Sequence, residues 1–336
     1  MSSFYWKELE FKPGTHGYLE VPVCHMASGY RLTLPVHIVK GLHDGPAILI
    51  SAASHGEELW CTELARRIIE RFAGPLAYDF AGTLIVAPML NPHSFETGHR
   101  NTPIDLHNLN RVFPGIEPGR GWFTDMLARV IADEILPRCD IVFDYHGGGT
   151  DTVIHYTYSS PVTDDRSRIN HEIALASGAE VIWEHHESRG TLTNYAEAMG
   201  KLCVVVEAGG GGVILEQRYF SDALSNLENM FRVLKVLPGK VAPSKARVVV
   251  REGRTVRPAH GGIFIPEVGA ELIGKTVPGG TVLGRVVSPF TFEVLDELKA
   301  PYPKTELMQI RNRISKVHPG DYAYIVGDGD SGYHLG

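Results

Sequence analysis

The stretch Ala47-Ile-Leu-Ile-Ser-Ala-Ala-Ser-His-Gly-Glu-Glu58 decides the fold of this chain. Its first seven residues are apolar or small, a pattern typical of a strand that is buried on both faces of a sheet. His55 and Glu58 follow directly, so we expect them at the carboxyl end of that strand, where open α/β sheets carry their functional groups. Both side chains can bind a metal ion.

Two acids follow His55, and only one of them suits a shared metal. Positions i and i+3 lie on one face of a turn or helix start, whereas i and i+2 do not, which favours Glu58 as the ligand. We expect Glu57 to be solvated or to stabilise the helix dipole. A simple turn before an acidic first helical turn would have the same sequence, so this motif alone does not establish a site.

A second histidine, His146, follows another apolar run, Ile141–Tyr145. The glycines at 147–149 allow the backbone to approach a ligand closely, and Asp144 shares a strand face with His146 and is placed to orient its ring. Two histidines and one glutamate with an open fourth position form the ligand set of a hydrolytic zinc site. The pattern therefore predicts a metal-dependent hydrolase, although ligand type alone does not separate zinc from manganese or cobalt.

A long polar segment from Asn91 to Gly115 carries Arg100, Asn110 and Arg111. Long loops at strand ends commonly bind ligands, and arginines there suit a carboxylate or a developing oxyanion. The alternative is a solvated loop with surface arginines.

Glu207 ends the apolar run Leu202–Glu207. An acid at the end of a buried strand is costly unless it is paired or used, and burial can raise its pKa toward the range of a general base. The alternative is an acid exposed at the strand end. The glycine run that follows, at 209–212, matches neither common phosphate-binding glycine motif.

The composition is that of a globular enzyme, with 43% hydrophobic and 21% charged residues. The net charge of -7, without a basic cluster, argues against nucleic acid and anionic membranes as partners. The four cysteines form no C-x-x-C pair and are expected to be reduced core thiols. Neither a signal-peptide layout nor an apolar run of roughly 18 residues is visible, so we expect a cytoplasmic protein.

Strand-like and helix-like segments alternate over the first two thirds of the chain, which predicts an α/β domain with helices on both faces of a sheet. The predicted strands are Tyr18–Val23, Leu34–Val39, Ala47–Ala53, Thr83–Met89, Ile141–Tyr145 and Leu202–Glu207, and the predicted helices are Glu58–Phe72, Trp122–Leu136 and Leu215–Val236.

Beyond Leu237-Pro-Gly-Lys240 the pattern changes to short strands separated by Gly and Pro, which predicts a small all-β domain. Its predicted strands are Ala246–Arg251, Gly262–Ile265, Thr281–Val287, Thr291–Val294 and Tyr322–Val326. We therefore expect a catalytic domain over residues 1–240 and a β domain over 241–336, with no catalytic residues in the second.

Taken together, these motifs resemble the succinylglutamate desuccinylase/aspartoacylase family, relatives of the zinc carboxypeptidases. The matching residues are His55-Gly-Glu-Glu58, Asn91-Pro92, Arg100, Asn110-Arg111, Phe113-Pro-Gly115, His146 and Glu207. The resemblance covers about residues 45–210 and is nearest to the bacterial deacetylases of N-acetyl amino acids, among them N-acetyl-diaminobutyrate deacetylase. It implies a zinc-carboxypeptidase-like mixed sheet flanked by helices. The C-terminal region is similar to the family's appended barrel-sandwich-like domain, without a lysine placed to carry lipoate.

The resemblance also implies a role for each matched residue. One zinc ion per chain would be bound by His55, Glu58 and His146. Arg100 would polarise the scissile carbonyl and stabilise its oxyanion. Asn110 and Arg111 would bind the α-carboxylate of the substrate. Glu207 would take a proton from the zinc-bound water and pass it to the leaving amine.

The implied substrate is a small N-acyl amino acid, and its acyl group stays open. Arg189 lies in the region where this family builds its substrate pocket. If Arg189 binds a second carboxylate, a succinyl or aspartyl group is favoured; if it does not, a short neutral group such as acetyl is favoured. A carboxypeptidase acting on short peptides and a catalytically silent binding protein are the alternatives. Assembly into a homo-oligomer is compatible with the sequence.

Overall fold

A large mixed sheet organises this protein. The computed structural model describes residues 2–74, 79–186, 188–210 and 217–335. The elements up to residue 240 are β1 (Phe4–Trp6), β2 (Leu9–Phe11), β3 (Thr15–His25), β4 (Arg31–Lys40), β5 (His43–Ser51), α1 (Leu59–Phe72), β6 (Ala81–Ala87), α2 (Pro92–Thr97), α3 (Phe123–Val130), β7 (Ile141–His146), β8 (Thr152–Ser159), α4 (Asp165–Ala176), β9 (Val181–Glu184), α5 (Leu192–Ala198), β10 (Leu202–Gly210) and α6 (Gln217–Val233).

The remaining elements are short strands. They are β11 (Val248–Val250), β12 (Gly253–Val256), β13 (Gly262–Pro266), β14 (Thr276–Pro278), β15 (Val282–Val287), β16 (Val294–Lys299), β17 (Lys304–Arg311), β18 (Ser315–Val317), β19 (Tyr324–Asp328) and β20 (Tyr333–His334). Short 3-10 turns occur at Leu109–Arg111, Leu136–Arg138 and Ala270–Leu272, and a single π-helical turn at Ile131–Ile135 continues α3.

Four parallel strands form the centre of the sheet, in the spatial order β10-β7-β5-β6. Because they run in one direction, their carboxyl ends meet at one edge. The pairing places Ser51 beside Asp144, and His146 beside Glu207. The residues predicted to do chemistry therefore leave the sheet at the same edge.

Apolar side chains on the central strands bury both faces of the sheet. Ile48 and Ile50 of β5 pack on one face in a cluster that includes residues of α1 and α6. Leu49, between them, points to the other face and packs in a cluster with residues of α3 and α5. This alternation confirms helices on both faces, and it explains why the central strands read as continuous apolar runs.

The C-terminal strands extend the same sheet. Strand β17 pairs antiparallel with β8, and β11 pairs parallel with β9. A separate four-stranded sheet has the order β16-β15-β13-β18. Hydrogen-bonded strands thus connect the two sides of residue 240, and the division into two domains there stays a prediction.

The six strands predicted in the first two thirds are confirmed, whereas β8, β9, α4 and α5 were not foreseen. The predicted strand at Thr291–Val294 is wrong, because residues 289–291 form a turn and Phe292 has a positive φ of 61°, so the strand begins at Val294. The helix predicted at Leu215–Val236 is observed over Gln217–Val233, and its first two predicted residues lie outside the described part. Across the described ranges, every helix is too short or too polar to span a bilayer.

Candidate functional site

Three buried side chains converge at the edge where β5 and β7 end. Glu58 lies between the two histidines, with Oε1 2.7 Å from His55 Nδ1 and Oε2 3.0 Å from His146 Nδ1. One ligand atom from each residue lies within 4.8 Å of the others, and all three residues are at most 3% exposed. The structure therefore brings together the three residues that were predicted to bind a metal.

The outer nitrogen of each histidine faces an oxygen acceptor. His55 Nε2 lies 3.1 Å from Asn108 Oδ1, and His146 Nε2 lies 3.0 Å from Asp144 Oδ2. An imidazole that donates from Nε2 leaves a lone pair on Nδ1, and both Nδ1 atoms face Glu58. Two inward nitrogens and a carboxylate fit the ligand preferences of zinc.

Asp144 was expected to orient His146, and its geometry supports that expectation. The carboxyl group is fully buried, and its second oxygen accepts a hydrogen bond from Ser51 Oγ at 2.7 Å. Asn108 had not been singled out. Its position two residues before Asn110 in the polar segment was the available signal.

The backbone before α1 is shaped so that His55 points inward. Ala53 has a φ of 51°, an unfavourable conformation for a residue with a Cβ atom. Gly56 lies against α2, where an added Cβ would be 1.8 Å from the carbonyl oxygen of Ser94. Its amide donates to the carbonyl of His99 at 2.9 Å. Glycine is therefore required between the two ligands, which accounts physically for the His-Gly pair.

Burial and neighbouring charges shift the pKa values of the three residues. Burial lowers the pKa of His55 to about 4, against the attraction of Glu58. Burial also disfavours the charged form of His146, but Asp144 and Glu58 outweigh it and raise the pKa of His146 above its usual range. The pKa of Glu58 is lowered because the two histidines outweigh its burial. A charged carboxylate is thus maintained at the centre of the cluster.

A cavity of about 400 Å³ opens onto this cluster. Its walls come from both parts of the chain. Residues up to 240 contribute His55, Glu57, Glu58, Arg100, Gly147, Gly149, Thr150, Asp151, Thr152, Ile154 and Glu207, and later residues contribute Gln309, Arg311, Asp321, Tyr322 and Ile325. The β domain was expected to narrow access to the site, but the individual residues of this wall had not been predicted, because no local motif marks them.

Arg100 and Glu207 both line this cavity. Arg100 Nη1 lies 3.4 Å from Glu58 Oε1, and its guanidinium carbon is 5.7 Å from the centre of the Tyr322 ring. Glu207 is half-buried on β10, beside His146 in the strand register. The structure thus brings both residues to the cluster, and their chemical roles stay predictions.

Asn110 contacts the cluster directly and Arg111 follows Asn110 in the chain, and neither is among the residues that line the cavity. Asn110 is buried, with Nδ2 3.1 Å from His146 Nε2, and its Oδ1 accepts from the amide of Leu192 at 2.8 Å. Arg111 is exposed and donates to the carbonyl of Asn110 at 2.6 Å. Arg189 is also exposed, in a segment whose Gly190 carbonyl accepts from the amide of Phe113 at 2.9 Å. Substrate binding by these three residues stays a prediction.

Glu57 differs from its expected surroundings. Its side chain is 26% exposed, lines the cavity and lies 3.8 Å from Arg100 Nη1. Burial raises its pKa, against the attraction of Arg100. The solvated alternative for Glu57 is therefore wrong and the dipole-stabilising alternative stays a prediction, whereas the choice of Glu58 as the residue facing both histidines agrees with the geometry.

Comparisons with known proteins agree with this geometry. The family model of the succinylglutamate desuccinylase/aspartoacylase catalytic domain matches residues 44–234. N-α-acetyl-L-2,4-diaminobutyric acid deacetylase of Halomonas elongata is 32% identical over 202 residues. That match covers 59% of this chain and 57% of the relative, so it spans little more than half of that protein.

Two solved structures are similar over nearly the whole chain. An aspartoacylase family protein from Mesorhizobium loti has 26% identity and a TM-score of 0.76, covering 95% of this chain and 96% of its own. The product-bound ectoine utilization protein EutE (DoeB) from Ruegeria pomeroyi has 26% identity and a TM-score of 0.78, covering 93% and 94%. Because the family model matches more than half of the 336 residues, including the His-Glu-His cluster, this chain belongs to the succinylglutamate desuccinylase/aspartoacylase family.

Proposed function

We propose that this protein is a zinc-dependent hydrolase that removes the acyl group from a small N-acyl amino acid. The observation that carries the proposal is the orientation of His55 and His146, which both present Nδ1 to Glu58 while their outer nitrogens face fixed acceptors. Membership of a family of desuccinylases and aspartoacylases supports hydrolysis of an amide bond.

His55, Glu58 and His146 would hold one zinc ion per chain. Zinc in such a site lowers the pKa of a bound water to about 7 and polarises a carbonyl oxygen. All three side chains are buried, so their positions are fixed by packing and by Asn108 and Asp144.

Arg100 is placed to stabilise negative charge on the carbonyl oxygen of the substrate. Its guanidinium lies at the cavity wall near Glu58, and its side chain is 37% exposed, so it can turn toward a bound ligand. Removing one such donor from an oxyanion site typically costs about 3–4 kcal/mol of transition-state stabilisation.

Glu207 is the proposed general base. It lies on β10 beside His146 and lines the same cavity as Arg100. From there it would accept a proton from the attacking water and return it to the amine that leaves, a role typical of a glutamate in a partly buried site.

The amino acid would be held by its α-carboxylate at Asn110 and Arg111. We infer a short neutral acyl group such as acetyl rather than a dicarboxylic one, with Arg189 making no contact to the acyl group. The name of the relative from Halomonas elongata, a deacetylase of acetyl-diaminobutyric acid, supports the same choice. The C-terminal wall restricts the cavity and favours small substrates over peptides, the alternative of a carboxypeptidase.

A substrate panel tests this proposal. Purified protein would be assayed for metal content and then for hydrolysis of N-acetyl, N-succinyl and N-formyl amino acids and of short peptides. We expect about one zinc per chain, fastest turnover of N-acetyl amino acids, loss of turnover on chelation and recovery with zinc. Faster cleavage of peptides would favour the carboxypeptidase, and metal-free protein that binds but never cleaves N-acyl amino acids would reject an enzyme.

A further inference from the structure

Arg311 joins two walls of the cavity that lie far apart in the sequence. We propose that Arg311 is a positioning residue, which holds the C-terminal wall against the loop that follows His146 and thereby sets how tightly substrate binds; this inference rests on the hydrolase function proposed above. Nothing in its sequence neighbourhood marks it, since Arg311 simply ends a strand.

The guanidinium of Arg311 makes four hydrogen bonds within the protein. Nη1 donates to Asp151 Oδ2 at 3.3 Å and to Ser315 Oγ at 2.9 Å. Nε and Nη2 both donate to the backbone carbonyl of Tyr322, at 3.1 and 3.0 Å. The side chain is only 11% exposed. A planar guanidinium with this many partners fixes their relative positions, which a lysine at the same place would not do.

Two of these partners, Asp151 and Tyr322, belong to different walls of the cavity. Asp151 lies in the glycine loop that follows His146, on the metal side. Tyr322 comes from the C-terminal segment, and its ring lies 5.7 Å from the guanidinium carbon of Arg100 and 4.2 Å from that of Arg257. The guanidinium of Arg311 thus links the glycine loop to the backbone of the tyrosine that faces Arg100. It reinforces two main-chain hydrogen bonds at the same place, from the Arg311 amide to the Ala323 carbonyl and from the Asn312 amide to the Asp151 carbonyl.

The metal cluster itself does not depend on Arg311. His55 and His146 are held by Asn108 and Asp144, which Arg311 does not contact. Loss of the guanidinium would leave the carboxylate of Asp151 without its cation and would release the backbone of Tyr322. We therefore expect weaker substrate binding with nearly normal chemistry, which kinetics reports as a raised KM with little change in kcat.

The test is a double-mutant cycle with the intact protein. Arg311→Met, Asp151→Asn and the double variant would be compared with wild type, and Arg313→Met would serve as a control that removes a nearby guanidinium outside this network. For the N-acyl amino acid that is turned over fastest, we expect Arg311→Met to raise KM about tenfold with kcat within about threefold, as charge-assisted hydrogen bonds imply. Zinc affinity should not change, and the double variant should resemble Arg311→Met.

A KM within about twofold of wild type, or kcat and zinc affinity falling together, would overturn the proposal. So would fully additive effects in the double variant, because they would mean that the two residues act separately. If Arg311→Met does not fold, Asp151→Asn carries the same test with a smaller expected rise in KM.

Hydrogen exchange separates this proposal from the proposed function. Backbone amides at 147–152 and 318–323 should both exchange faster in Arg311→Met than in wild type, whether or not any substrate is hydrolysed. Wild-type protein that cleaves no N-acyl amino acid would reject the proposed function alone. Unchanged exchange in both segments would reject the role of Arg311 alone.

Discussion

The substitution Asp144→Asn tests whether the histidine orientation, rather than the mere presence of ligands, makes this a metal site. Asp144 is fully buried, with one oxygen 3.0 Å from His146 Nε2 and the other accepting from Ser51 Oγ at 2.7 Å. Asparagine has nearly the same volume, so no cavity opens in the core. What is lost is the negative charge that makes His146 a more basic ligand.

The magnitude follows from two independent ranges. A hydrogen bond to a charged group contributes about 1.5–3 kcal/mol. Substitution of a group that orients a metal-binding histidine weakens metal affinity about 10- to 100-fold, which corresponds to roughly 1.4–2.7 kcal/mol. The ranges agree, so we expect the Kd for zinc to rise about 10- to 100-fold.

Competition with a chromophoric chelator would measure this Kd. Asp140→Asn is the matched control, because it makes the same change at the opposite end of β7, where Asp140 accepts from the amide of Ala47 at 2.8 Å. We expect the control to bind zinc like wild type. Equal affinity in wild type and Asp144→Asn, or an equal loss in both variants, would refute the reasoning.

Three further predictions address the base, the turn and the pH dependence. Glu207→Gln should keep zinc but lower kcat by about 10²- to 10⁴-fold, measured in steady-state assays, and full activity would exclude Glu207 as the base. Gly56→Ala should lose zinc and melt at a lower temperature, since its Cβ would lie 1.8 Å from the Ser94 carbonyl oxygen; unchanged zinc content would contradict this. Burial lowers the pKa of His171 from 6.5, so the stability that its neutral ring contributes is present above about pH 6.5 and is lost as pH falls. Urea unfolding between pH 7 and 5 should therefore show a flatter pH dependence for His171→Gln than for wild type, and parallel curves would argue against it.

The metal side of the site was predictable because each of its residues follows a local sequence pattern. His55, His146 and Glu207 each follow or end an apolar run, and parallel central strands must bring those ends to one edge. Glu58 could be preferred over Glu57 from helical spacing alone. The burial of Glu57 could not be predicted from that spacing, since it depends on Arg100 and on the cavity walls.

The individual residues of the C-terminal wall were not predictable, for a physical reason. Strand β8, Thr152–Ser159, mixes aromatic and polar side chains and pairs with β10 and β17. Its Ile154 and Tyr156 are buried in a cluster with residues much later in the chain, among them Met308. The pairing of β17 with β8 determines which residues of β17 face the cavity, and the two strands lie more than 150 positions apart in the sequence. No local periodicity encodes such a contact, so only the structure showed that Arg311 and Tyr322 belong to the cavity wall.

The origin of the two cavity walls has a consequence for how such enzymes diverge. The ligands and their supporting acceptors lie before residue 150, whereas Gln309, Tyr322 and Ile325 form the opposite wall. Mutations in the later segment can reshape the space for a substrate while leaving the chemistry intact. Directed-evolution libraries confined to 309–325 should therefore vary the space for a substrate and retain zinc in most of their members.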